Sequence, residues 1–280
     1  MDLLLQTDYL LKKTGLKPDK LKGQNFCVDE KVISQMVEAA QVDHDDEILE
    51  IGPGFGFLTL ALLKRAKKVT AVELEKKFIT PLKNLQRLHH NFRLIEGDIL
   101  RVNDDQLPGG NYKIVANLPY SITSVFLKKF LTSGHQPSSM TLLIQKEVAL
   151  RICARPGAMS RLALAVQLYG RPRLVDFVQA SSFWPRPAVD SAILQITDLH
   201  GYSYQNQAAE KIYWQIVRSG FAAKRKQLKN NLKNSLHLKA AEADKMLQTA
   251  GLNAQSRAQE LSPADWLKLA QAYQATLIDV

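Results

Sequence analysis

Short apolar runs alternate with helix-like segments through the first two thirds of the chain, and this alternation restricts the fold more than any other feature. Helical patterns such as Leu58–Arg65 and Lys76–Leu88 separate the first runs from one another. Strands that alternate with helices pair in parallel, because each helix carries the chain back across the sheet. The sequence therefore predicts an α/β fold with a parallel sheet. The predicted strands are Glu47–Ile51, Val69–Glu73, Phe92–Ile95, Tyr112–Ala116, Met140–Gln145, Leu174–Val178 and Ala192–Ile196.

The pattern changes near residue 200, where the chain turns polar between His200 and Gln207 and is helical in character beyond that point. A chain of 280 residues suits one large domain and one small domain, so we place a boundary there. The predicted organisation is a basic segment over residues 1–22, an α/β domain over residues 23–202 and a helical domain over residues 203–280.

Composition argues against several classes of protein. No apolar run approaches the roughly 20 residues that a membrane span needs. The N-terminus lacks the basic region and the cleavage site of a signal peptide. Cys27 and Cys153 are the only cysteines, which argues against a disulfide framework or a cysteine metal site and fits a reducing compartment. We therefore predict a cytoplasmic protein that does not enter the membrane.

The net charge of +10 favours a polyanionic partner, with nucleic acid as the first candidate. Seven Lys or Arg residues and no acid lie between Arg218 and Lys239, and on a helix Leu228, Leu232 and Leu236 would share the buried face. A solvated polar face is the alternative to phosphate contact. A second basic group, Lys12, Lys13, Lys17, Lys20 and Lys22, is predicted to be extended or loosely ordered. The predicted RNA-binding residues are Lys22, Arg218, Lys224, Arg225, Lys226, Lys229 and Lys233.

A glycine loop, Gly52-Pro53-Gly54-Phe55-Gly56, joins the first predicted strand to the helix after it. Glycines permit a tight turn and a close approach of a ligand to the backbone. Glu73 ends the second strand, where a carboxylate can accept both ribose hydroxyls, and Asp98 follows the third, where it can accept from an adenine amino group. A nicotinamide dehydrogenase shows a similar loop and acid. Glu50 before the first glycine and Pro53 within the loop favour S-adenosylmethionine instead.

Asn117-Leu118-Pro119-Tyr120 follows the fourth predicted strand, at the edge where open α/β sheets bind ligands. The side-chain oxygen of Asn117 and a backbone carbonyl can both accept hydrogen bonds from an exocyclic amino group. Pro119 stiffens the turn, and the ring of Tyr120 can stack on a base. An ordinary strand-to-turn junction is the alternative, since Asn and Pro are common in turns. The position beyond a glycine loop and successive carboxylates favours a clamp for an amino group.

Six blocks of sequence occur in one order, and together they make the chain resemble the KsgA-type ribosomal-RNA adenine N6-dimethyltransferase family from about residue 12 to about residue 275. The resemblance implies a class I, Rossmann-like methyltransferase sheet of seven mostly parallel strands, followed by a small all-helical domain. The blocks are Gly23-Gln24-Asn25-Phe26, Glu50-Ile51-Gly52-Pro53-Gly54, Asn117-Leu118-Pro119-Tyr120, Gln145-Lys146-Glu147-Val148, Phe183-Trp184-Pro185-Arg186-Pro187 with Val189-Asp190-Ser191, and Lys224-Arg225-Lys226 leading into Asn230 or Asn231.

The same resemblance implies roles for residues at matching positions. Tyr120 and Phe183 would stack on opposite faces of the target adenine, and two prolines after Phe183 favour a rigid surface loop over a buried strand. No metal is implied. The implied catalytic residues are Asn117, Leu118, Pro119, Tyr120 and Phe183, and the implied S-adenosylmethionine-binding residues are Gln24, Asn25, Gly52, Gly54, Glu73, Leu74, Asp98, Ile99 and Asn117.

The implied activity is N6,N6-dimethylation of adjacent adenines in a 3′-terminal hairpin loop of small-subunit (16S) rRNA, within an immature small ribosomal subunit and by a monomer. An Erm-type methyltransferase acting on 23S rRNA and conferring macrolide resistance is the alternative among enzymes. A largely non-catalytic factor that binds RNA or the ribosome is the alternative from another class. The Lys224-Arg225-Lys226 block and the basic C-terminal helices favour the small-subunit enzyme.

Overall fold

The computed structural model describes residues 3–14, 25–199 and 207–278. The chain divides into two compact units, one formed by Met1–Leu150 with Gly170–His200 and the other by Arg151–Tyr169 with Gly201–Val280. Residues 151–169, which the sequence places in the α/β domain, therefore group with the C-terminal helices. The physical reason is a backbone connection, because the amides of Gly157 and Met159 donate to the carbonyl of Gln259 at 2.8 and 3.1 Å.

The described residues of the first unit form nine strands in two sheets. The larger sheet has seven strands in the order β4-β3-β2-β5-β6-β9-β7, and the smaller one pairs β1 with β8. The strands are β1 Phe26–Cys27, β2 Glu47–Ile51, β3 Lys68–Glu73, β4 Phe92–Glu96, β5 Tyr112–Asn117, β6 Ser139–Gln145, β7 Arg171–Val178, β8 Phe183–Trp184 and β9 Ser191–Thr197.

Strands β2 to β6 are mutually parallel, while β9 runs antiparallel to both β6 and β7. The sheet is thus mostly parallel, and the predicted fold class is confirmed. The carboxyl ends of β2, β3, β4 and β5 all lie at one edge, because parallel strands that are neighbours must end together. Helices follow these strands, and the described helices of the whole chain are α1 Leu3–Thr14, α2 Glu30–Ala39, α3 Phe57–Leu63, α4 Lys76–Leu88, α5 Thr123–Leu131, α6 Lys146–Ile152, α7 Arg161–Gln167, α8 Gln207–Gly220, α9 Leu228–Leu236, α10 Ala240–Thr249 and α11 Pro263–Ile278.

The core of the first unit lies between the sheet and its helices. Strand β5 buries Tyr112 and the run Ile114-Val115-Ala116, as expected for a central strand covered on both faces. Asp29 caps the start of helix α2, because its side chain accepts from the amide of Lys31. The helix buries one face through Val32, Ile33 and Met36. Each fully buried aliphatic side chain of this kind contributes about 1.5–3 kcal/mol to stability.

Helix α1 corrects the prediction for the N-terminus, since residues 12 and 13 lie in a helix and not in an extended segment. Thr7 and Leu11 are buried and Leu3 packs against the core, so residues spaced by four form a buried stripe. That burial orders a short helix that propensity alone would leave marginal. Lys17, Lys20 and Lys22 lie outside the described residues.

The C-terminal helices of the second unit pack through aromatic and aliphatic side chains. Tyr213 and Ile216 of α8 and Trp266 of α11 are fully buried. Gly220 ends α8 directly against Trp266, and a Cβ at this position would approach the Trp266 ring to 2.3 Å. Glycine is therefore required there by space. None of the helices in the described part of the chain combines the length and the apolar character that crossing a membrane requires.

Candidate active site

A cavity of about 450 Å³ opens at the edge where β2, β3, β4 and β5 end, and all its walls belong to the first unit. This volume lies in the range of small-molecule sites. The cavity is lined by Asn25, Phe26, Ile51, Gly52, Gly54, Val72, Glu73, Leu74, Glu75, Phe78, Gly97, Asp98, Ile99, Leu100, Asn117, Leu118, Pro119, Tyr120, Ser121 and Ile122. The structure therefore brings together every predicted cofactor residue that it describes. Gln24 lies outside the described residues.

Gly52 and Gly54 of the glycine loop line the cavity. Three glycines of this loop have left-handed backbone conformations. The φ angles of Gly52, Gly54 and Gly56 are 63°, 55° and 82°. A Cβ at Gly54 would lie 3.0 Å from the ring of Phe26, so a larger residue would be both strained and crowded. The ring of Phe26 also packs against Phe55 and Phe78, with ring centroids 4.7 and 5.6 Å away. Phe26 and Phe78 line the cavity as well. Their apolar character was the only indication of this position in the sequence.

Glu73 at the end of β3 is held by two backbone amides. Its Oε2 accepts from the amide of Gly54 at 3.1 Å and its Oε1 from that of Glu75 at 2.8 Å. Burial raises the pKa of Glu73, and these hydrogen bonds oppose the shift because they favour the ionised form. The carboxylate thus fixes the glycine loop while it faces the cavity. Leu74 beside it is exposed at the rim.

Glu50 lies beneath the loop and does not line the cavity. It is 1% exposed, and its Oε2 accepts a hydrogen bond from Thr59 Oγ1 at 2.7 Å. Burial raises the pKa of Glu50 to about 8, against the lowering effect of the Thr59 hydrogen bond and with a further increase from Glu73. Glu50 is therefore mostly protonated at neutral pH, and it joins β2 to α3 as a buried acid. Sequence reasoning did not identify Thr59 as its partner.

Asp98 and Ile99 lie in the turn after β4 and line the far wall of the cavity. Asp98 Oδ1 accepts from the amide of Leu100 at 2.9 Å, which keeps the turn closed. Lys129 of α5 supports the turn from behind, because its Nζ donates to the carbonyls of Ile99 and Val102 at 2.8 and 2.7 Å. No sequence pattern indicated this contact, since Lys129 follows another lysine on a helix of ordinary composition.

Asn117 ends β5 at the junction of the cavity with the Asn-Leu-Pro-Tyr turn. Its Nδ2 donates to the carbonyl of Asn25 at 3.0 Å. A carbonyl can only accept, so this bond fixes the orientation of the side-chain amide. The Oδ1 of Asn117 must then point away from Asn25. The amide of Leu118 donates to the carbonyl of Leu143 at 3.1 Å, which ties the turn to β6.

Tyr120 begins a short 3₁₀ helix, Tyr120–Ile122, that leads into α5. Its hydroxyl forms a 2.7 Å hydrogen bond with Ser191 Oγ at the start of β9, where either group can donate. Burial raises the pKa of Tyr120, and the phenol therefore stays neutral over the physiological range. The bond holds one end of the ring while the rest lines the cavity.

Phe183 lies elsewhere than predicted. It forms part of β8, pairs with Cys27 of β1, and is 3% exposed within the hydrophobic core. The prediction of a rigid surface loop is wrong, because pairing with β1 buries the ring despite the prolines that follow it. Phe183 is absent from the cavity walls, so a stacking role for it requires the ring to leave the core.

The predicted RNA-binding residues of the second unit differ in their surroundings. Lys224, Arg225 and Lys226 are exposed in the turn between α8 and α9, and Arg218 is exposed on α8. Buried Asn231 holds this turn, since its Nδ2 donates to the carbonyls of Gly220 and Ala223. Lys229 instead donates to Asp244 of α10 at 2.7 Å. An acid from another helix therefore neutralises Lys229, which weakens its assignment to RNA. Lys233 is half-buried, and Lys22 lies outside the described residues.

No three His, Cys, Asp or Glu side chains come together in a way that could hold a metal ion, within residues 3–14, 25–199 and 207–278.

Comparison with known proteins assigns almost the whole chain to one group. Residues 17–275 match the family described as ribosomal RNA adenine dimethylase. The ribosomal RNA small subunit methyltransferase A of Dehalococcoides mccartyi is 38% identical over 273 residues, covering 97% of this chain and 94% of that protein. The protein of the same name from Clostridium acetobutylicum is 38% identical over 267 residues, covering 94% of this chain and 96% of that protein.

Two solved structures share the fold. A dimethyladenosine transferase from Plasmodium falciparum superposes with a TM-score of 0.74 and 26% identity, covering 88% of this chain and 96% of that one. The 23S rRNA methyltransferase ErmE superposes with a TM-score of 0.70 and 26% identity, covering 89% of this chain and 100% of that one. The fold is therefore shared with a dimethyladenosine transferase and with a methyltransferase whose name gives 23S rRNA as its target.

Proposed function

The chain belongs to the ribosomal RNA adenine dimethylase family and is an rRNA adenine methyltransferase, and we propose that it uses S-adenosylmethionine to dimethylate adjacent adenines in a 3′-terminal hairpin loop of small-subunit rRNA. The observation that carries the proposal is the fixed amide of Asn117 at the end of a cavity suited to a nucleoside cofactor. The names of the relatives support the small-subunit target.

The cavity residues fit S-adenosylmethionine by their chemistry. Left-handed Gly52 and Gly54 leave room for a ligand against the backbone, and Glu73 offers an acceptor for ribose hydroxyls. Asp98 and Ile99 would hold the adenine ring, and Asn25 and Leu74 would complete the walls. The cofactor supplies an electrophilic methyl group on a positively charged sulfur. Gln24 is proposed as a further contact on the resemblance alone.

Asn117 and the Leu118 carbonyl would act on the target amino group. The N6 lone pair of adenine is delocalised into the ring, so N6 is a poor nucleophile. Two acceptors in tetrahedral directions would draw the nitrogen toward sp3 geometry and localise the lone pair. They would also stabilise the positive charge that develops on N6 during transfer. The bond to Asn25 aligns the Asn117 oxygen in advance, so orientation costs little during the reaction.

Tyr120 would stack on one face of the target adenine, and Pro119 would stiffen the turn that presents it. Its Ser191 hydrogen bond restricts how the ring can tilt. Phe183 is still proposed for the other face, with the added requirement that its ring leaves the core when RNA binds. A base must be unpaired or flipped to enter such a site.

The test is methyl transfer by Asn117→Ala. Loss of the acceptor should lower kcat for small-subunit particles by about 100-fold or more, in the range for removing a single charge-stabilising group, and leave cofactor affinity within a few-fold. Asn111→Ala, an exposed asparagine just before the same strand, is the matched control. Near-normal transfer by Asn117→Ala with normal cofactor binding would overturn the mechanism.

An Erm-type 23S rRNA methyltransferase is the second candidate, because ErmE shares the fold over its whole length. Radiolabelled methyl transfer to unmodified small-subunit particles and to naked large-subunit rRNA, followed by mapping of the modified base, separates the two. Modification of two adjacent adenines in the small subunit supports the first candidate. We also propose that the enzyme acts in the cytoplasm as a monomer on an assembling small subunit. The relatives' names support the small subunit, and the other parts of this proposal rest on the sequence and its resemblance alone.

A further inference from the structure

An exposed aromatic ring lies on the first unit next to an ammonium group. Phe177 of edge strand β7 is 47% exposed, and Lys146 Nζ lies 4.7 Å from the centroid of its ring. Leu150 is similarly exposed and follows Lys146 by one turn of α6, on the same side of the helix. Single exposed apolar residues are common, but an exposed ring, a neighbouring cation and a second apolar side chain form a patch. We call Lys146, Leu150 and Phe177 the Phe177 patch.

A chain of hydrogen bonds connects this patch to the candidate active site. The Tyr120 hydroxyl bonds to Ser191 at 2.7 Å, and Asp190, the residue before Ser191, accepts from the Lys146 amide at 3.0 Å through its carbonyl. The Lys146 ammonium lies 3.9 Å from the Asp190 carboxylate, a long and exposed pair. The sheet order places β7, which carries Phe177, next to β9, whose Ser191 bonds to Tyr120, and three strands from β5, which ends in Asn117.

An exposed aromatic ring beside an ammonium group matches the chemistry of a single unpaired nucleotide. The base can stack on the ring, and the phosphate can pair with the cation. The exposed Lys146–Asp190 pair is weak enough for a phosphate to compete for the ammonium. A carbohydrate or an apolar peptide would use the ring but gain little from the cation.

On this basis, and resting on the proposed function, we propose that the Phe177 patch binds a nucleotide that flanks the target adenine pair, with its base on Phe177 and its phosphate on Lys146. The patch would then help to set which adenine enters the cavity, because a flanking nucleotide held at a fixed site sets the register of the RNA strand. This role makes Phe177 and Lys146 RNA-positioning residues, in addition to the basic turn of the second unit.

The test is a double-mutant cycle between protein and RNA. The affinity of wild-type enzyme and Phe177→Ala is measured by fluorescence anisotropy with a synthetic stem-loop RNA that carries two unpaired adenines. The same RNA is then made with an abasic nucleotide on the 5′ or on the 3′ side of the adenine pair. Phe177→Ala should bind the intact RNA about 10-fold more weakly, as expected for losing one stacked base. On the abasic RNA that lacks the stacked base, Phe177→Ala and wild-type enzyme should bind with almost equal affinity.

Three variants sharpen the test. Phe177→Trp keeps a stacking face and should restore affinity, whereas Lys146→Met should weaken binding and reduce its salt dependence. Leu88→Ala removes an apolar side chain at the end of α4 that is more exposed than Phe177, and this variant should bind as wild type does. Cofactor affinity, measured by calorimetry, should be the same for every variant.

Two results would overturn the patch assignment while leaving the proposed function intact. One is full affinity of Phe177→Ala for the intact RNA. The other is an equal loss of affinity, relative to wild type, on the intact RNA and on both abasic RNAs. A wild-type enzyme that binds this RNA but transfers no methyl group to small-subunit particles would count against the proposed function instead. Wild-type enzyme that neither binds the RNA nor modifies the particles would overturn both.

Discussion

The amide of Asn117 has one orientation, because its Nδ2 faces the Asn25 carbonyl. A substitution that keeps the shape but removes the donor therefore tests orientation separately from size. Asn117→Asp places a carboxylate oxygen 3.0 Å from that carbonyl, so we expect the side chain to be repelled and the acceptor to be misplaced. Methyl transfer should fall by about 100-fold or more, as for loss of one aligned acceptor group. Single-turnover transfer with saturating cofactor measures it, and wild-type rates would contradict the orientation argument.

Ser191 positions Tyr120 without reaching the proposed base. Ser191→Ala removes the 2.7 Å hydrogen bond and leaves the phenol to find another partner. We expect KM for RNA to rise about 5-fold, with cofactor affinity unchanged, because one neutral hydrogen bond contributes about 1 kcal/mol. Tyr120→Phe should give a similar rise, and the double variant should add nothing further. Additive losses would show that the two residues act independently.

Glu50 makes stability depend on pH in a direction that can be worked out. Its folded-state pKa of about 8 lies above the ordinary value of 4.5, so the folded protein holds a proton that the unfolded chain releases. Stability is therefore greatest below pH 4.5 as far as Glu50 is concerned, and it is lost as pH rises toward 8, by up to about 1.4 kcal/mol per pH unit. Glu50→Gln should flatten this fall in urea unfolding curves measured at pH 5 and 8.

The Gln side chain keeps an oxygen that can accept from Thr59, so the variant should stay folded. Burial also raises the pKa of Glu73, which should leave a smaller residual slope in the same direction. Glu47→Gln, at the half-buried start of the same strand, is the control and should retain the wild-type slope. An unchanged slope in Glu50→Gln would show that Glu50 is ionised in the folded protein.

At the scale of elements, α5 supports two walls of the cavity at once. The helix begins directly after the Tyr120 turn, and Lys129 within it holds the Asp98 turn through two backbone carbonyls. Lys129→Met should free that turn and weaken cofactor binding about 10-fold, which corresponds to about 1.4 kcal/mol. Lys128→Met changes the exposed neighbour on the same helix and should leave affinity unchanged. Calorimetric titration with S-adenosylmethionine measures both, and equal affinities for the two variants would contradict the anchoring role.

Elements whose pattern is local were predictable. The strand at Tyr112 and the helix Lys76–Leu88 were identified because a short stretch of sequence contains both the spacing of their apolar residues and the turn residues that flank them. The pairing of β1 with β8, which buries Phe183, joins segments far apart in the chain and has no local signal. The same holds for the acid that pairs with Lys229 and for the carbonyls that bind Lys129. The motif residues of the cavity were predictable because successive parallel strands end at one edge.

At the scale of the whole molecule, the formal net charge of +10 matters through its distribution. Replacing Lys224, Arg225 and Lys226 by glutamine removes three exposed cations from one turn, and replacing Lys64, Arg65 and Lys67 removes three exposed cations from the end of α3. Both variants lower the net charge equally, so a general attraction for RNA would weaken equally in both. If the turn contacts phosphates, only the variant of Lys224, Arg225 and Lys226 loses direct contacts with the RNA.

The expected result is a change in salt dependence. Three lost phosphate contacts should reduce the slope of log affinity against log salt by about 2, since each contact contributes about 0.7 for single-stranded RNA. The α3 variant should keep a slope close to that of wild type. Anisotropy titrations with stem-loop RNA between about 50 and 200 mM salt measure the slopes. Equal slopes for the two variants would mean that the charge acts at a distance, and the basic turn would then not be a phosphate-binding site.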